Sequence, residues 1–182
     1  MTTTTKTTLV QDAVAAICQM MAVAAVTAPK AKGEDFVEVL AVSGEDLQSL
    51  GQAMIAYGEE SGRKNFDRDG KNVLSSDAVV LIGLKAPNTC GLNCGACGYE
   101  LCDEFLGAPH SQGEFIGPIC AYRLLDMGIA LGSAVKTAGL FNADNRIMYR
   151  IGVAARRIGL VDWEFVMGIP LSVTGKSIYF DR

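Results

Sequence analysis

Near the start of the chain, apolar residues recur at three- and four-residue steps. Val14, Ile17, Cys18, Met21 and Ala25 share one face of a helix predicted from about Leu9 to Val26, which Pro29 ends. Cys18 lies inside that stripe and reads as a small core residue. Residues 1–8 are threonine-rich without an apolar pattern and read as a loose tail, leaving residues 9–182 as one domain. After the polar loop Lys30–Asp35, the β-branched run Phe36–Val42 predicts a strand. Ser43 is a favourable N-cap for a second helix reaching about Gly58, with Glu45 and Asp46 in the first turn where the helix dipole favours negative charge. Leu47, Leu50, Met54 and Ile55 form its inward face.

Glu59–Asn72 is densely charged and reads as an exposed connection with space for a short helix. Ala78–Leu84 is continuously apolar, the pattern of a central strand buried on both faces. Asp103–Gly117 is polar and turn-rich and holds the single histidine, His110. A long helix is predicted from about Cys120 to Leu140. Leu124, Leu125, Ile129, Leu131, Val135 and Leu140 make it apolar, while Gly128, Ala130, Gly132, Ser133, Ala134 and Ala138 keep it slim enough for the core or a subunit contact. Asn142-Ala143-Asp144 offers caps for another helix ending at Gly159, with Ile147, Ile151, Ala154 and Ile158 inward and Arg146, Arg150 and Arg157 on a neighbouring face. Trp163–Gly168 and Lys176–Phe180 read as strands. The fold class is therefore α+β, with helices flanking a central mixed β-sheet.

Composition narrows the function classes. In 182 residues, 49% are hydrophobic and 20% charged, enough apolar material for a core without a metal staple. The net charge of −4, with no dense basic patch, points away from nucleic acid. The run Ala13–Val26 followed by Thr27-Ala28-Pro29 has the outline of a secretory signal. Lys6 is its only basic residue, Asp12 precedes it, Gln19 interrupts it, and its helical stripe assigns it to the core; it is also short for a membrane span.

The chemistry concentrates in residues 89–120, an inserted cysteine-rich loop. Five of the six cysteines follow the spacing Cys90-x3-Cys94-x2-Cys97-x4-Cys102-x17-Cys120. Clustered thiols of this kind suit metal ligation in a reducing cytoplasm better than a disulfide framework. A C-x2-C pair, a third cysteine close by and a distant fourth after a proline is the general style of iron–sulfur ligation. Zinc is the alternative, although the x4 gap and the isolated Cys120 fit paired zinc knuckles poorly. A thioredoxin-type pair needs only Cys94 and Cys97 and leaves the others unexplained.

Asn93-Cys94-Gly95-Ala96-Cys97-Gly98-Tyr99-x-x-Cys102, with its distant fourth cysteine, resembles the [4Fe-4S] module of electron-transport-complex and corrinoid iron–sulfur proteins. That resemblance implies Cys94, Cys97, Cys102 and Cys120 as ligands, with Cys90 as the alternate. It makes the backbone N–H groups of Gly95, Ala96 and Gly98 candidates for stabilising the core of the cluster. Together with Gly117-Pro118-x-Cys120, Asp126–Ala134, Asp144–Arg150 and Pro170–Lys176, the loop looks like the ferredoxin-domain proteins of the DUF2148 family. This resemblance spans nearly the whole chain after the threonine-rich tail and implies cluster binding in an electron-transfer protein, with a redox partner protein or small-molecule acceptor. Thr27–Gly33 followed by the strand at Phe36 is similar, at fold level, to the flavin nitroreductases, which implies a nitroreductase-like fold, FMN and a homodimer. The arginine-rich opening segment that holds the flavin phosphate in those enzymes has no counterpart in residues 1–12, where Lys6 is the one cation.

Other motifs are set aside. Asp67-Arg68-Asp69-Gly70-Lys71 lacks the later ligands and closing glutamate of a calcium loop. Gly175-Lys176-Ser177 lacks the upstream glycine of a phosphate loop, and Gly91, Gly95 and Gly98 miss the dinucleotide spacing. His110 reads as a solvated loop residue, the three arginines as a solvated edge, and Asp126 as a structural group.

Overall fold

The computed structural model describes residues 3–180. Its largest sheet has the order β1-β2-β6-β5, built from β1 (Val37–Val42), β2 (Ala78–Leu84), β5 (Asp144–Asn145) and β6 (Phe165–Ser172). Every pairing in it is antiparallel, so the sheet is not mixed as the sequence suggested. Continuous burial of β2 does not require parallel neighbours. It requires helices on both faces, which this fold supplies.

One face carries α1 (Lys6–Thr27) and α5 (Ala121–Leu140). There, Val14, Ile17, Met21 and Ala25 of α1 pack with Met127, Ala130 and Ala134 of α5 over Val80, Ile82 and Leu84 of β2. The other face carries α2 (Gly44–Ser61), α3 (Phe66–Leu74) and α6 (Tyr149–Arg157), whose Leu50, Met54, Phe66 and Ile151 pack over Val79 and Leu81. Each fully buried aliphatic side chain stabilises by about 1.5–3 kcal/mol, so β2 anchors two cores at once.

Four sequence expectations change. Residues 6–8 belong to α1 and not to a loose tail, because Thr5 caps the helix by accepting from the Thr8 N–H at 3.3 Å; residues 1 and 2 lie outside the described chain. The charged stretch after Glu59 carries the short helix for which the sequence left space, but it is partly buried and not simply exposed. It forms α3, with Phe66, Asp69, Gly70 and Val73 buried, and Arg150 closes on the Asp69 carboxylate at 2.8 Å. In the third change, the predicted helix after Asn142 starts only at Tyr149, and Asp144–Asn145 pair as β5; Ile147 and Ile158 are exposed.

The fourth concerns the end of the chain. β6 runs through Pro170, and residues 176–180 form no strand among the described residues. Pro170 is tolerated because it lies between the β5 pairing at Leu171 and the isolated Met148–Gly168 bridge, where the ladder is open. The segment beyond β6 folds back instead, burying Tyr179, whose hydroxyl lies 2.8 Å from Ser76 Oγ.

Candidate metal centre

After β2 the chain enters an irregular segment reaching α4 (Cys102–Leu106), a small hairpin of β3 (Ser111–Gln112) and β4 (Ile116–Gly117), and then α5. Its course depends on left-handed backbone at Gly95 and Gly98, with φ of +72° and +92°, where a side chain would be strained. The Gly98 N–H closes a tight turn on the Gly95 carbonyl at 3.0 Å.

This curl brings the five cysteines of the loop onto one recess, lined by Cys90, Cys94, Cys97, Cys102 and Cys120 together with Tyr99 and Tyr122. Cys94 is exposed, Cys97 and Cys102 are half-buried, and Cys90 and Cys120 are buried. The floor is apolar. Phe105 packs with Cys90 and Cys120, and Tyr99 meets Phe105 edge-on at 5.7 Å.

Cys120 is the N-cap residue of α5. Burial alone raises its thiol, but hydrogen bonds from the backbone of Cys90, Tyr122 and Arg123 outweigh burial and hold it below the usual cysteine range. Cys90, in hydrogen-bond contact with Cys120, is raised, first by burial. Asn93 and Cys102 are joined twice: the Asn93 N–H donates to Cys102 Sγ at 3.4 Å, and the Cys102 N–H donates to Asn93 Oδ1 at 2.8 Å.

Arg123, which the sequence reading did not single out, locks this arrangement from behind. It is wholly buried and donates to the carbonyls of Asn88 and Ala31, each at 3.0 Å, and it pairs with Asp126 at 3.3 Å and with Glu34. Its plane covers the Phe36 ring at 4.6 Å. Asp126 also accepts from the Ala31 N–H at 2.7 Å, which bears out its structural reading. An Arg–Asp pair at i, i+3 inside a helix whose only other charged residue is Lys136 was the available sequence signal for this clamp.

His110 is exposed and does not line the recess. Arg146, Arg150 and Arg157 do not share one solvated edge: they close on the Tyr179 carbonyl, Asp69 and Glu60 respectively.

An uncharacterized protein of Archaeoglobus fulgidus is 50% identical over 163 residues, which is 90% of this chain and 88% of that one. The sequence profile of a family described as "Uncharacterized protein containing a ferredoxin domain (DUF2148)" matches residues 116–182, including Cys120. The chain and the Archaeoglobus protein belong to one family, and residues 116–182 carry the ferredoxin-domain (DUF2148) match. Among solved structures, the chain is similar to a nitroreductase with bound FMN from Desulfitobacterium hafniense, at 14% identity and a TM-score of 0.56 over 88% of this chain and 78% of that one. It is likewise similar to the nitroreductase CinD from Lactococcus lactis in complex with nicotinic acid, at 13% identity and 0.56 over 92% and 84%. The fold is thus nitroreductase-like, as expected.

The donor set fits an iron–sulfur cluster. Five soft thiols line one recess, Cys102 and Cys120 receive backbone N–H groups, and Cys120 stands at the N-terminus of a 20-residue helix. Among the described residues, no three His, Cys, Asp or Glu side chains are grouped tightly enough to hold a single ion.

Proposed function

We propose that this protein is an iron–sulfur redox protein in which Cys94, Cys97, Cys102 and Cys120 hold a [4Fe-4S] cluster. The observation that carries the reading is the convergence of these four residues, from three separate stretches of chain, on one recess. When bound, the cluster supplies one-electron transfer at a potential set by ligand charge, hydrogen bonds to sulfur and exposure. The chain's own contribution is positional. Asn93 directs its N–H at Cys102, the start of α5 favours the Cys120 thiolate, and the turn through Gly95, Ala96 and Gly98 sets the spacing of Cys94 and Cys97.

Cys94 is the exposed member, with Leu92, Leu101 and Leu106 exposed in the same segment. These residues form an apolar collar where a redox partner docks. A second reading, a flavin-dependent oxidoreductase fed by the cluster, is favoured by the likeness to nitroreductases solved with FMN. A homodimer joined through the outer faces of α1 and α5, working in the cytoplasm, completes the proposal.

The test is an anaerobic preparation analysed for iron, sulfide, zinc and flavin. A brown protein with about four irons and a paramagnetic signal on reduction is expected. Serine at position 94, 97, 102 or 120 removes most of the iron, whereas Cys90→Ser retains it. Stoichiometric zinc in a colourless protein overturns the cluster, and bound flavin alongside iron selects the second reading.

A further inference from the structure

A cleft between the end of α2, the β3–β4 hairpin and α6 takes no part in the cysteine recess. It has a volume of about 420 Å³, within the range of small-molecule sites, and Tyr57, Arg63, Glu114, Val153, Arg156 and Arg157 line it. Three guanidinium groups therefore border one opening, with Glu114 the single carboxylate in the lining. Arg63 Nε lies 3.3 Å from Glu114 Oε1, and the Tyr57 hydroxyl donates to the same oxygen at 3.2 Å. Arg157 turns partly outward to Glu60 at 3.1 Å and covers the Tyr57 ring at 4.3 Å.

Arg156 differs from its neighbours. It is half-buried, and among the described residues it has no carboxylate partner. Its Nη1 donates to the Glu114 carbonyl at 2.6 Å, while its buried Nε has no partner at all. A guanidinium withdrawn from water without a counter-charge is costly, and its planar fork matches the two oxygens of a carboxylate or phosphate.

We propose that this cleft binds a small organic anion through a carboxylate or phosphate group, anchored by Arg156, flanked by Arg63 and Arg157, and opposed by Glu114 as an internal competitor. Entry of the ligand oxygens frees Arg63 from Glu114, and Tyr57 and Val153 give an apolar wall for the carbon skeleton. The site stands independently of what the cysteines hold.

The experiment is calorimetric titration of the full, anaerobically purified chain at low ionic strength, with inorganic phosphate and with succinate as separate probes. Saturable one-site binding of at least one probe is expected, and the stronger probe identifies the ligand group. Arg156→Gln weakens binding about tenfold or more, the loss of one charge-assisted contact. Glu114→Gln strengthens it several-fold by removing the competitor. Arg63→Gln, at a side chain 53% exposed and thus dispensable for folding, weakens it even if the Arg156 variant fails to fold. Absence of saturation with both probes, or affinity unchanged by Arg63→Gln and Glu114→Gln, overturns the proposal.

Discussion

Cys18 sits between α1 and the sheet, where burial pushes its thiol up to about 11 from an ordinary value of 9.0. The folded state therefore keeps its proton where the unfolded chain loses it. Its contribution to stability is complete below pH 9 and is lost as pH rises from 9 to 11. Burial raises the Tyr179 phenol in the same direction. The urea midpoint is expected to fall across this window, and Cys18→Ala flattens the fall, as midpoints measured at each pH will show. Arg123 belongs to the same scale. Arg123→Met leaves Asp126 buried without its cation, and breaking such a pair costs about 3–5 kcal/mol. It also strips the Asn88 carbonyl of its donor, two residues before Cys90. A lower urea midpoint and faster alkylation of Cys90 are expected together, and Arg123→Met/Asp126→Leu recovers part of the stability. The clamp was hard to see in sequence because a lone Arg and a lone Asp read as surface residues until two other stretches of chain, 31–36 and Asn88, close over them.

At the scale of elements, the closest contact is between α6 and β6. A Cβ at Gly152 would lie 1.8 Å from the Val166 carbonyl oxygen, and one at Gly168 would lie 2.1 Å from Ile151 Cγ2. These glycines let the helix lie directly on the strand. Gly152→Ala is expected to cost about 3 kcal/mol or more, measured by chemical denaturation, because the obstruction is backbone and cannot swing aside. The elements that were legible in the sequence carry a strong local period: the apolar stripe of α1 and the unbroken run of β2. Those read only in part depend on partners. α3 looks charged until Arg150 neutralises the buried Asp69, and β6 looks broken by Pro170 until the gap in its neighbour appears. On α5 most of the large aliphatic residues, Leu124, Leu125, Ile129 and Leu140, are exposed, and the buried face is Arg123, Asp126, Met127, Ala130, Leu131, Ala134 and Ala138.

The whole molecule carries a surface that this inversion creates. Leu9, Met20 and Val23 on α1 and Leu125 and Ile129 on α5 are exposed, and open space lies over Gly128 and Gly132. By length and composition α1 is apolar enough to cross a membrane, yet its inner face is packed into the core. This apolar surface is the face assigned above to the proposed homodimer, whose two-fold interface would use the same patch on both subunits. Light scattering on the eluted protein is expected to give about double the 19.3 kDa of one chain. Leu125→Glu returns the single-chain mass without unfolding the protein, because that side chain is 60% exposed.

What the sequence by itself determined was local. Periodicity placed the main helices and the central strand, and the spacing of thiols and glycines marked residues 89–120 as the chemical centre. Tertiary structure decided everything that depends on distant chain meeting. It made the sheet antiparallel, brought Cys120 from the head of α5 to the same recess as Cys90, Cys94, Cys97 and Cys102, and set a buried arginine behind them. The physical reason is that burial and pairing are properties of neighbours in space, so a charged or slim residue has no fixed meaning until its surroundings are built.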